Sequence, residues 1–222
     1  MRHGPLAVEP GMPDKVAMRL GAIILAGGRS MRMGRPKESL PFRGDTLLGA
    51  VAAALATACE RIVVVARDAA QALPPLAVDV ARTHDVAPGS SPLAGLAAGL
   101  AWLARDGFAR TDAAFVTACD QPFVTPDVVR FLAAQLAEHD AVVPHDGAHL
   151  QPLCAVYRLA VASTCMTMLA RGEAAPRVLL DHLDVRQVTP TELRTVDAGL
   201  RSLADLDTPD EYARARRDDR PH

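Results

Sequence analysis

The sequence predicts an α/β fold of three layers, in which a mostly parallel sheet lies between helices on both faces. Three observations lead to this prediction. Short, continuous apolar runs typical of buried parallel strands recur along the chain. Segments with the composition of helices separate them, and parallel strands need such crossovers. Half of the 222 residues are hydrophobic but only 4% are aromatic, so aliphatic side chains must form the interior.

The predicted elements alternate from residue 20 onwards. The apolar run Leu20–Leu25 predicts the first strand, and the Ala- and Leu-rich stretch at residues 46–59 predicts the first helix. Further strands are predicted at residues 61–66, 78–82, 112–118, 141–144 and 153–157, the second of these being the weakest. Further helices are predicted at residues 92–104 and 126–138, then two helices with one or two strands, and a last helix that begins near Thr208.

The folded part of the chain is predicted to be one domain, residues 20–222. Its length suits a single large core, and no linker interrupts it. Residues 1–19 contain Pro5, Pro10 and Pro13 without apolar periodicity, so they are predicted to be a flexible extension. Met18 is an alternative natural start of the chain.

Cysteine usage and charge predict a cytoplasmic protein. The cysteines include no C-x-x-C pair and lie in apolar or helical surroundings, which favours free thiols over disulfides or a zinc site. No apolar signal-peptide core precedes the first strand, and no segment is as long as a membrane span, so no membrane partner is expected. The net charge of −2, without a long basic block, argues against nucleic acid as a partner.

The loop after the first strand has the composition of a phosphate-binding site. It reads L-A-G-G-R-S-M-R-M-G-R-P-K from Leu25 to Lys37. Two glycines directly after a buried strand let the backbone turn tightly and bring its N–H groups against an anion. Positive charge comes from four side chains of the same segment, Arg29, Arg32, Arg35 and Lys37. The spacing matches neither the P-loop nor the G-x-G-x-x-G fingerprint of dinucleotide folds.

This loop resembles the signature L-A-G-G-x-S-x-R-M-G-x-x-K of the molybdopterin nucleotidyltransferases, within the larger group of sugar-nucleotide pyrophosphorylase-like enzymes. The resemblance extends through nearly the whole chain after residue 20. It implies a Rossmann-like fold of the nucleotide-diphospho-sugar transferase type. It also implies catalytic roles for Arg32 and Lys37, which would engage the phosphates. The residues that it implies as nucleotide contacts are Leu25, Ala26, Gly27, Gly28 and Lys37.

Asp120 is predicted to be an available carboxylate at the carboxyl end of a strand. The helix that follows already has Thr125 as its N-cap and Pro126 at its first position, so Asp120 is not needed as a cap. A hard oxygen ligand at this edge of the sheet can hold Mg²⁺ bound to a triphosphate. The family's C-D-x-P-F segment matches here and implies that Asp120 is the magnesium ligand, in contact with the nucleotide and active in catalysis.

Two further carboxylates, Asp205 and Asp207, precede the last helix. Thr208 and Glu211 form a capping box there with Pro209 at the first helical position, so neither aspartate is needed as a cap. Alternate residues of an extended chain point the same way, which would direct both carboxylates towards one site. Asp207 is the candidate for a second magnesium contact. A pair of solvated acids before a surface helix is the alternative.

The segment D-V-A-P-G-S-S-P-L-A-G-L from Asp85 to Leu96 suits a turn that opens a helix, whose N–H groups can meet a base or a phosphate. On the residues alone, an ordinary loop is the simpler interpretation. The string P-L-A-G-L resembles the guanylyl branch of the family, in which an upstream aspartate contacts the nucleotide. This resemblance implies that Asp85 binds the nucleotide. The loop from His145 to Gln151 is a candidate for the acceptor pocket.

The favoured hypothesis is transfer of GMP from GTP to the terminal phosphate of molybdopterin, with Mg²⁺ as the cofactor. Other proteins of molybdenum cofactor biosynthesis are further candidate partners. A cytidylyltransferase that uses CTP on the same pterin is the nearest alternative. The Gly27-Gly28 pair and the string P-L-A-G-L favour guanine, whereas G-R-P-K before residue 38 and the acidic Asp205-Leu206-Asp207 favour cytosine. A non-catalytic nucleotide-binding module is the third hypothesis, against which Asp120 and Lys37 argue together.

Overall fold

The structure of the protein is a computed structural model that describes residues 18–28, 35–84 and 91–218. Its strands are β1 (Leu20–Leu25), β2 (Pro41–Phe42), β3 (Asp45–Thr46), β4 (Arg61–Ala66), β5 (Ala81–His84), β6 (Ala113–Ala118), β7 (Ala141–Pro144), β8 (Cys154–Arg158) and β9 (Val185–Val188). Its helices are α1 (Leu47–Leu55), α2 (Pro92–Arg105), α3 (Pro126–Ala134), α4 (Ala162–Ala170), α5 (Pro176–Leu179), α6 (Pro190–Leu193) and α7 (Pro209–Asp218).

Among the described strands, seven form one sheet in the order β5-β4-β1-β6-β8-β7-β9. The pairs β1–β4, β1–β6, β4–β5 and β7–β9 are parallel. Strand β8 lies antiparallel between β6 and β7, so it alone in this sheet runs against the others. The predicted mostly parallel sheet is confirmed. The carboxyl ends of β1, β4 and β6 therefore meet at one edge, where ligands bind in sheets of this type.

Helices cover both faces of this sheet. Helices α1 and α3 pack on one face around Ile24 and Phe115, and α2 and α4 pack on the other around Ile23 and Val116. Neighbouring residues of β1 thus enter opposite cores, as the two-residue period of a strand requires. All four of these side chains are completely buried. The three-layer architecture predicted from the sequence is confirmed.

One predicted strand lies later than the sequence pattern indicates. Strand β5 is Ala81–His84, not residues 78–82, and it pairs with β4 at the edge of the sheet. Val78 and Val80 pack against the core from outside the strand. Since β5 alternates half-buried and exposed residues, it lacks the apolar run that marks a central strand.

Other differences are local. The β2–β3 hairpin was not predicted from the sequence, and its turn consists of Arg43 and Gly44 at φ values of 52° and 80°. Two positive φ values in succession are typical of a type I′ hairpin turn. Helix α3 ends at Ala134, before residue 138, and Ala137 beyond it has a φ of 39°. Among the described helices, none is both long enough and apolar enough to cross a membrane.

Substitution of Gly99 with valine is expected to destabilise the fold by about 2 to 3 kcal/mol, because overpacking a filled core forces side chains and backbone to shift. A Cβ atom at Gly99 would lie 2.5 Å from Cγ2 of Ile23, where α2 crosses β1. Urea denaturation measures the change. Ala104→Val is the control, since Ala104 is exposed on the same helix. Equal unfolding free energies for the two variants would contradict this account.

Candidate active site

A cavity of about 890 Å³ opens at the carboxyl edge of the sheet. Several loops that follow strands form its walls, as expected for an α/β sheet. The part near the first strands is lined by Leu25, Gly27, Gly28, Lys37, Glu38, Val65, Ala66, Arg67, Ser91, Pro92 and Gly95. The remaining wall consists of Ala118, Cys119, Asp120, Gln121, Gln151, Pro152, Leu153, Ala175, Pro176, Arg177, Asp205 and Asp207.

The start of the glycine-rich loop is fixed against the neighbouring strand. The Ala26 N–H donates to the Val65 carbonyl at 2.9 Å, and the Ala26 side chain is buried. At Gly27, a Cβ would lie 3.2 Å from the Cα of Arg67, so a side chain there would press on the neighbouring backbone. A Cβ at Gly28 would have no described atom within 4 Å. Packing therefore favours glycine at position 27, whereas none of the described residues restricts the side chain at position 28.

Two residues predicted to act in the site, Arg32 and Asp85, lie outside the described residues, as does Arg29. Their roles stay predictions from the resemblance. Arg35 is described and exposed. The described part of the loop thus comprises its beginning at Leu25 and its end at Lys37.

Lys37 connects two carboxylates that are far apart in the sequence. Its Nζ lies 2.6 Å from Oδ2 of Asp120 and 2.6 Å from Oδ1 of Asp207. Burial lowers the pKa of Lys37, but hydrogen bonds and charge from Asp120 and Asp207 outweigh this effect and raise it overall. The Lys37 side chain is only 12% exposed. The site therefore holds a permanent positive charge between two carboxylates.

Asp120 lies at the end of β6, as predicted, and is not the cap of the next helix. The Thr125 side chain accepts from the Val128 N–H and caps α3 in its place. The backbone carbonyl of Asp120 accepts a hydrogen bond from the Leu206 N–H at 2.9 Å. This contact holds the segment before α7 against the end of β6.

Asp205 and Asp207 were predicted to point the same way from an extended chain, and the structure agrees. The Leu206 side chain is buried in a small cluster with Phe42 and Phe123, while Asp205 and Asp207 both line the cavity. The capping box is also present, since Thr208 N–H donates to the Glu211 carboxylate at 2.8 Å and Glu211 N–H donates back to Thr208 Oγ1 at 3.2 Å. Buried Leu206 thus directs its two neighbours towards one site.

The Asp205 carboxyl has a raised pKa. Desolvation by the surrounding cavity walls raises its pKa to about 6, although water still reaches the side chain. The charge of Asp120 acts in the same direction, and the Gln121 amide opposes it. The site therefore disfavours a third negative charge beside Asp120 and Asp207.

A polar network beneath the loop was not predicted from the sequence. The Gln71 amide nitrogen donates to the Ala26 carbonyl at 2.8 Å and to Oε1 of Glu38 at 2.7 Å, and its oxygen accepts from the Arg67 N–H at 2.7 Å. Gln71 and Glu38 are both buried. Gln71 is a polar residue among apolar neighbours, whereas Glu38 lies between Lys37 and Ser39, and neither position indicates a shared contact.

The far side of the cavity is built by the loop before β8 and by α5. The Gln151 N–H donates to the Pro144 carbonyl, and its side chain donates to Asp146, both at 2.8 Å. These contacts hold Gln151 in the wall of the cavity, and its role in an acceptor pocket stays a prediction. Arg177, at the start of α5, also lines the cavity and was not singled out from the sequence.

The donor set fits a hard divalent cation. Within the described ranges, no three His, Cys, Asp or Glu side chains form a complete metal-binding group. Asp120 and Asp207 nevertheless place oxygens on one common cation, the Lys37 ammonium. Carboxylate oxygens suit Mg²⁺, which usually takes only one or two of them and completes its shell with water and substrate phosphates.

Sequence comparison assigns the chain to a family. The model of the MobA-like NTP transferase domain matches residues 22–187. A protein of Mycobacterium bovis named "Probable molybdenum cofactor guanylyltransferase" is 35% identical over 201 residues, which are 89% of this chain and 95% of that protein. A protein of Chloroflexus aggregans with the same name is 34% identical over 202 residues, with 88% and 93% covered.

Solved structures agree with this assignment. Molybdopterin-guanine dinucleotide biosynthesis protein A from Archaeoglobus fulgidus has a TM-score of 0.74 at 27% identity, covering 89% of this chain and 97% of that one. The 2-C-methyl-D-erythritol 4-phosphate cytidylyltransferase from Thermus thermophilus has a TM-score of 0.62 at 19% identity, covering 90% and 98%, and shares the fold. The resemblance seen in the loop is confirmed, and this chain belongs to the MobA-like NTP transferase family.

Proposed function

We propose that this protein transfers GMP from GTP to the terminal phosphate of molybdopterin and releases pyrophosphate. The observation that carries the proposal is the convergence of Lys37, Asp120 and Asp207 in the cavity at the carboxyl edge of the sheet. A cation for phosphate and two carboxylates for a metal are what nucleotidyl transfer needs. The names of the relatives support the choice of GTP and of the pterin acceptor.

The proposed reaction depends on positioning and on charge neutralisation. An oxygen of the acceptor's terminal phosphate attacks the α-phosphorus of GTP, and the bond from that phosphorus to the oxygen of the β-phosphate breaks. Negative charge then grows on the departing pyrophosphate. Because the pKa of Lys37 is raised, its ammonium remains protonated and stabilises that charge. Arg32 would assist, as the resemblance implies. No protein nucleophile is required.

Asp120 and Asp207 are the proposed ligands of Mg²⁺. Their oxygens already converge on one positive charge, and each has the donor chemistry that this ion prefers. When bound, the ion supplies neutralising charge for the phosphates. Lys37 and Mg²⁺ would compete for the same carboxylate oxygens. When the ion binds these oxygens, the Lys37 ammonium becomes available to phosphate oxygens.

The nucleotide itself is proposed to lie along the ends of β1 and β4. Gly27 and Gly28 expose backbone there because neither carries a side chain, and Leu25 and Ala26 place the loop beside Val65. Asp85 is the further nucleotide contact that the resemblance implies. The acceptor would enter from the side of Gln151.

GTP is expected to stabilise the fold much more than CTP does. At a concentration of about 100 times its Kd, a ligand of the native state contributes about 2.7 kcal/mol, which for a chain of this size raises Tm by about 5 to 10 °C. Thermal unfolding with each nucleotide and Mg²⁺ measures the difference. We expect CTP at the same concentration to shift Tm by less than about 2 °C.

The same experiment separates the alternatives. A larger shift with CTP than with GTP would support the cytidylyltransferase, which the acidic Asp205-Leu206-Asp207 segment favours. A shift with GTP but no pyrophosphate release in the presence of molybdopterin would support the non-catalytic binding module. Pyrophosphate release that requires both substrates would establish the proposed reaction.

We further propose that the protein acts in the cytoplasm as one domain, residues 20–222, with other proteins of molybdenum cofactor biosynthesis as partners. The cysteines support this location, since Cys59, Cys119, Cys154 and Cys165 are all free thiols. Free thiols persist in reducing compartments.

A further inference from the structure

Glu38 is a buried carboxylate with unused hydrogen-bonding capacity in the wall of the cavity. It is 4% exposed and lies on the 3₁₀ turn Lys37–Ser39. Its Oε1 accepts a hydrogen bond from the Gln71 side chain at 2.7 Å. Across residues 18–28, 35–84 and 91–218, no donor lies within hydrogen-bonding distance of its other oxygen, Oε2. A buried carboxylate oxygen without a donor is costly, so a ligand that supplies one is favoured.

Gln71 holds Glu38 in place but cannot satisfy Oε2. Its amide nitrogen already donates twice, to Glu38 Oε1 and to the Ala26 carbonyl. Its oxygen accepts from the Arg67 N–H. An amide nitrogen has two hydrogens, so both are used. Glu38 is therefore fixed between the end of β1 and the end of β4, with capacity left for a ligand in the cavity.

The position of Glu38 determines which part of a nucleotide it can meet. The neighbouring Lys37 extends to Asp120 and Asp207, where the phosphates are proposed to bind. A carboxylate accepts hydrogen bonds and repels phosphate oxygens, so Glu38 cannot serve the triphosphate. Its network instead joins Ala26 and Arg67, at the strand ends along which the nucleotide is proposed to lie. The group that Glu38 binds must therefore be a donor of the nucleoside.

We propose that Glu38 recognises guanine by accepting hydrogen bonds from its N1–H and its N2 amino group. This inference rests on the proposed function. Guanine carries these two donors side by side, and a carboxylate has two oxygens with about four acceptor positions. Cytosine offers one amino donor next to acceptor atoms, which the carboxylate would repel. A site built to pair with particular donors discriminates strongly against a ligand that lacks them.

The test compares GTP with inosine triphosphate, which keeps N1–H but lacks the N2 amino group. Equilibrium binding is measured calorimetrically with Mg²⁺ for the unmodified chain and for Glu38→Gln. The unmodified chain is expected to bind GTP about tenfold more tightly than inosine triphosphate, the scale of one charge-assisted hydrogen bond. In Glu38→Gln, GTP affinity should fall at least about tenfold and the ratio of the two affinities should approach unity.

The ratio of affinities is measured within one variant, so it does not depend on the folded fraction of that variant. Glu60→Gln is the matched control, because Glu60 is an exposed glutamate that pairs with Arg19 before β4, at the opposite edge of the sheet. Its ratio should equal that of the unmodified chain. The affinity for 2′-deoxy-GTP is also measured. Glu38→Gln should lower this affinity by the same factor as it lowers the affinity for GTP.

Four results would overturn the inference. Equal losses for GTP and inosine triphosphate in Glu38→Gln would show that Glu38 only supports the loop. Loss of the Glu38→Gln effect with 2′-deoxy-GTP would show that Glu38 binds the ribose. Failure of the unmodified chain to bind GTP would overturn the proposed function and, with it, the role of Glu38. Normal GTP turnover by the unmodified chain, combined with an unchanged ratio of the two affinities in Glu38→Gln, would overturn the role of Glu38 but not the proposed function.

Discussion

Replacing Lys37 with alanine is expected to lower the turnover number for GMP transfer at least about a hundredfold, the scale of losing one contact to the charge of a transition state. The ammonium is nearly buried and lies 2.6 Å from the carboxylates of both Asp120 and Asp207. Since negative charge on pyrophosphate grows only during the reaction, kcat should fall more than GTP affinity does. Pyrophosphate release at saturating GTP and molybdopterin measures the effect.

The control for Lys37→Ala is Arg105→Ala, which removes a positive charge at the far end of α2. This helix begins beside the cavity at Pro92 and has 14 residues, so its end lies about 20 Å away at 1.5 Å per residue. Turnover of the control should be unchanged. Thermal unfolding of both variants separates loss of catalysis from loss of fold. Near-normal turnover of a folded Lys37→Ala protein would refute the role proposed for Lys37.

Several features of the site were predictable because their signals are local. The apolar run of β1 followed by Gly27 and Gly28 indicates a strand end, and its place at the ligand-binding edge follows from the fold class alone. The capping signals at Thr125 and Thr208 indicated that the nearby aspartates are not helix caps, and the structure agrees. The alternation around Leu206 likewise needs only an extended chain of three residues.

The contacts between segments could not be predicted in the same way. Lys37 contacts Asp120 and Asp207, which follow it by 83 and 170 residues in the sequence. No sequence periodicity predicts a contact between residues so far apart in the chain. The pairing of Glu38 with Gln71 likewise depends on how closely β1 and β4 approach. Strand β8 was recognisable as a strand, but its antiparallel direction depends on the path of the chain after β7. These features arise from tertiary packing.

Substitution of Asp120 with asparagine is expected to lower turnover at least about a hundredfold, again the scale of one lost charge contact. Asparagine keeps the size of the side chain but removes the charge that would hold Mg²⁺. The affinity for GTP should then gain little from Mg²⁺, whereas that of the unmodified chain should gain strongly. Asp127→Asn is the control, since Asp127 is an exposed acid in the first turn of α3. It should leave turnover and the Mg²⁺ effect unchanged.

Asp120 could also act only by positioning Lys37, because the two side chains are in direct contact. The double variant Lys37→Ala/Asp120→Asn distinguishes the two roles, since residues that act as one unit show strongly non-additive effects. If Asp120 only positions Lys37, Asp120→Asn should change nothing in the Lys37→Ala background. If Asp120 holds the metal, the effect of Mg²⁺ on GTP binding should survive in Lys37→Ala and disappear in the double variant. We expect the second result, because Asp207 also contacts the Lys37 ammonium and can position it without Asp120.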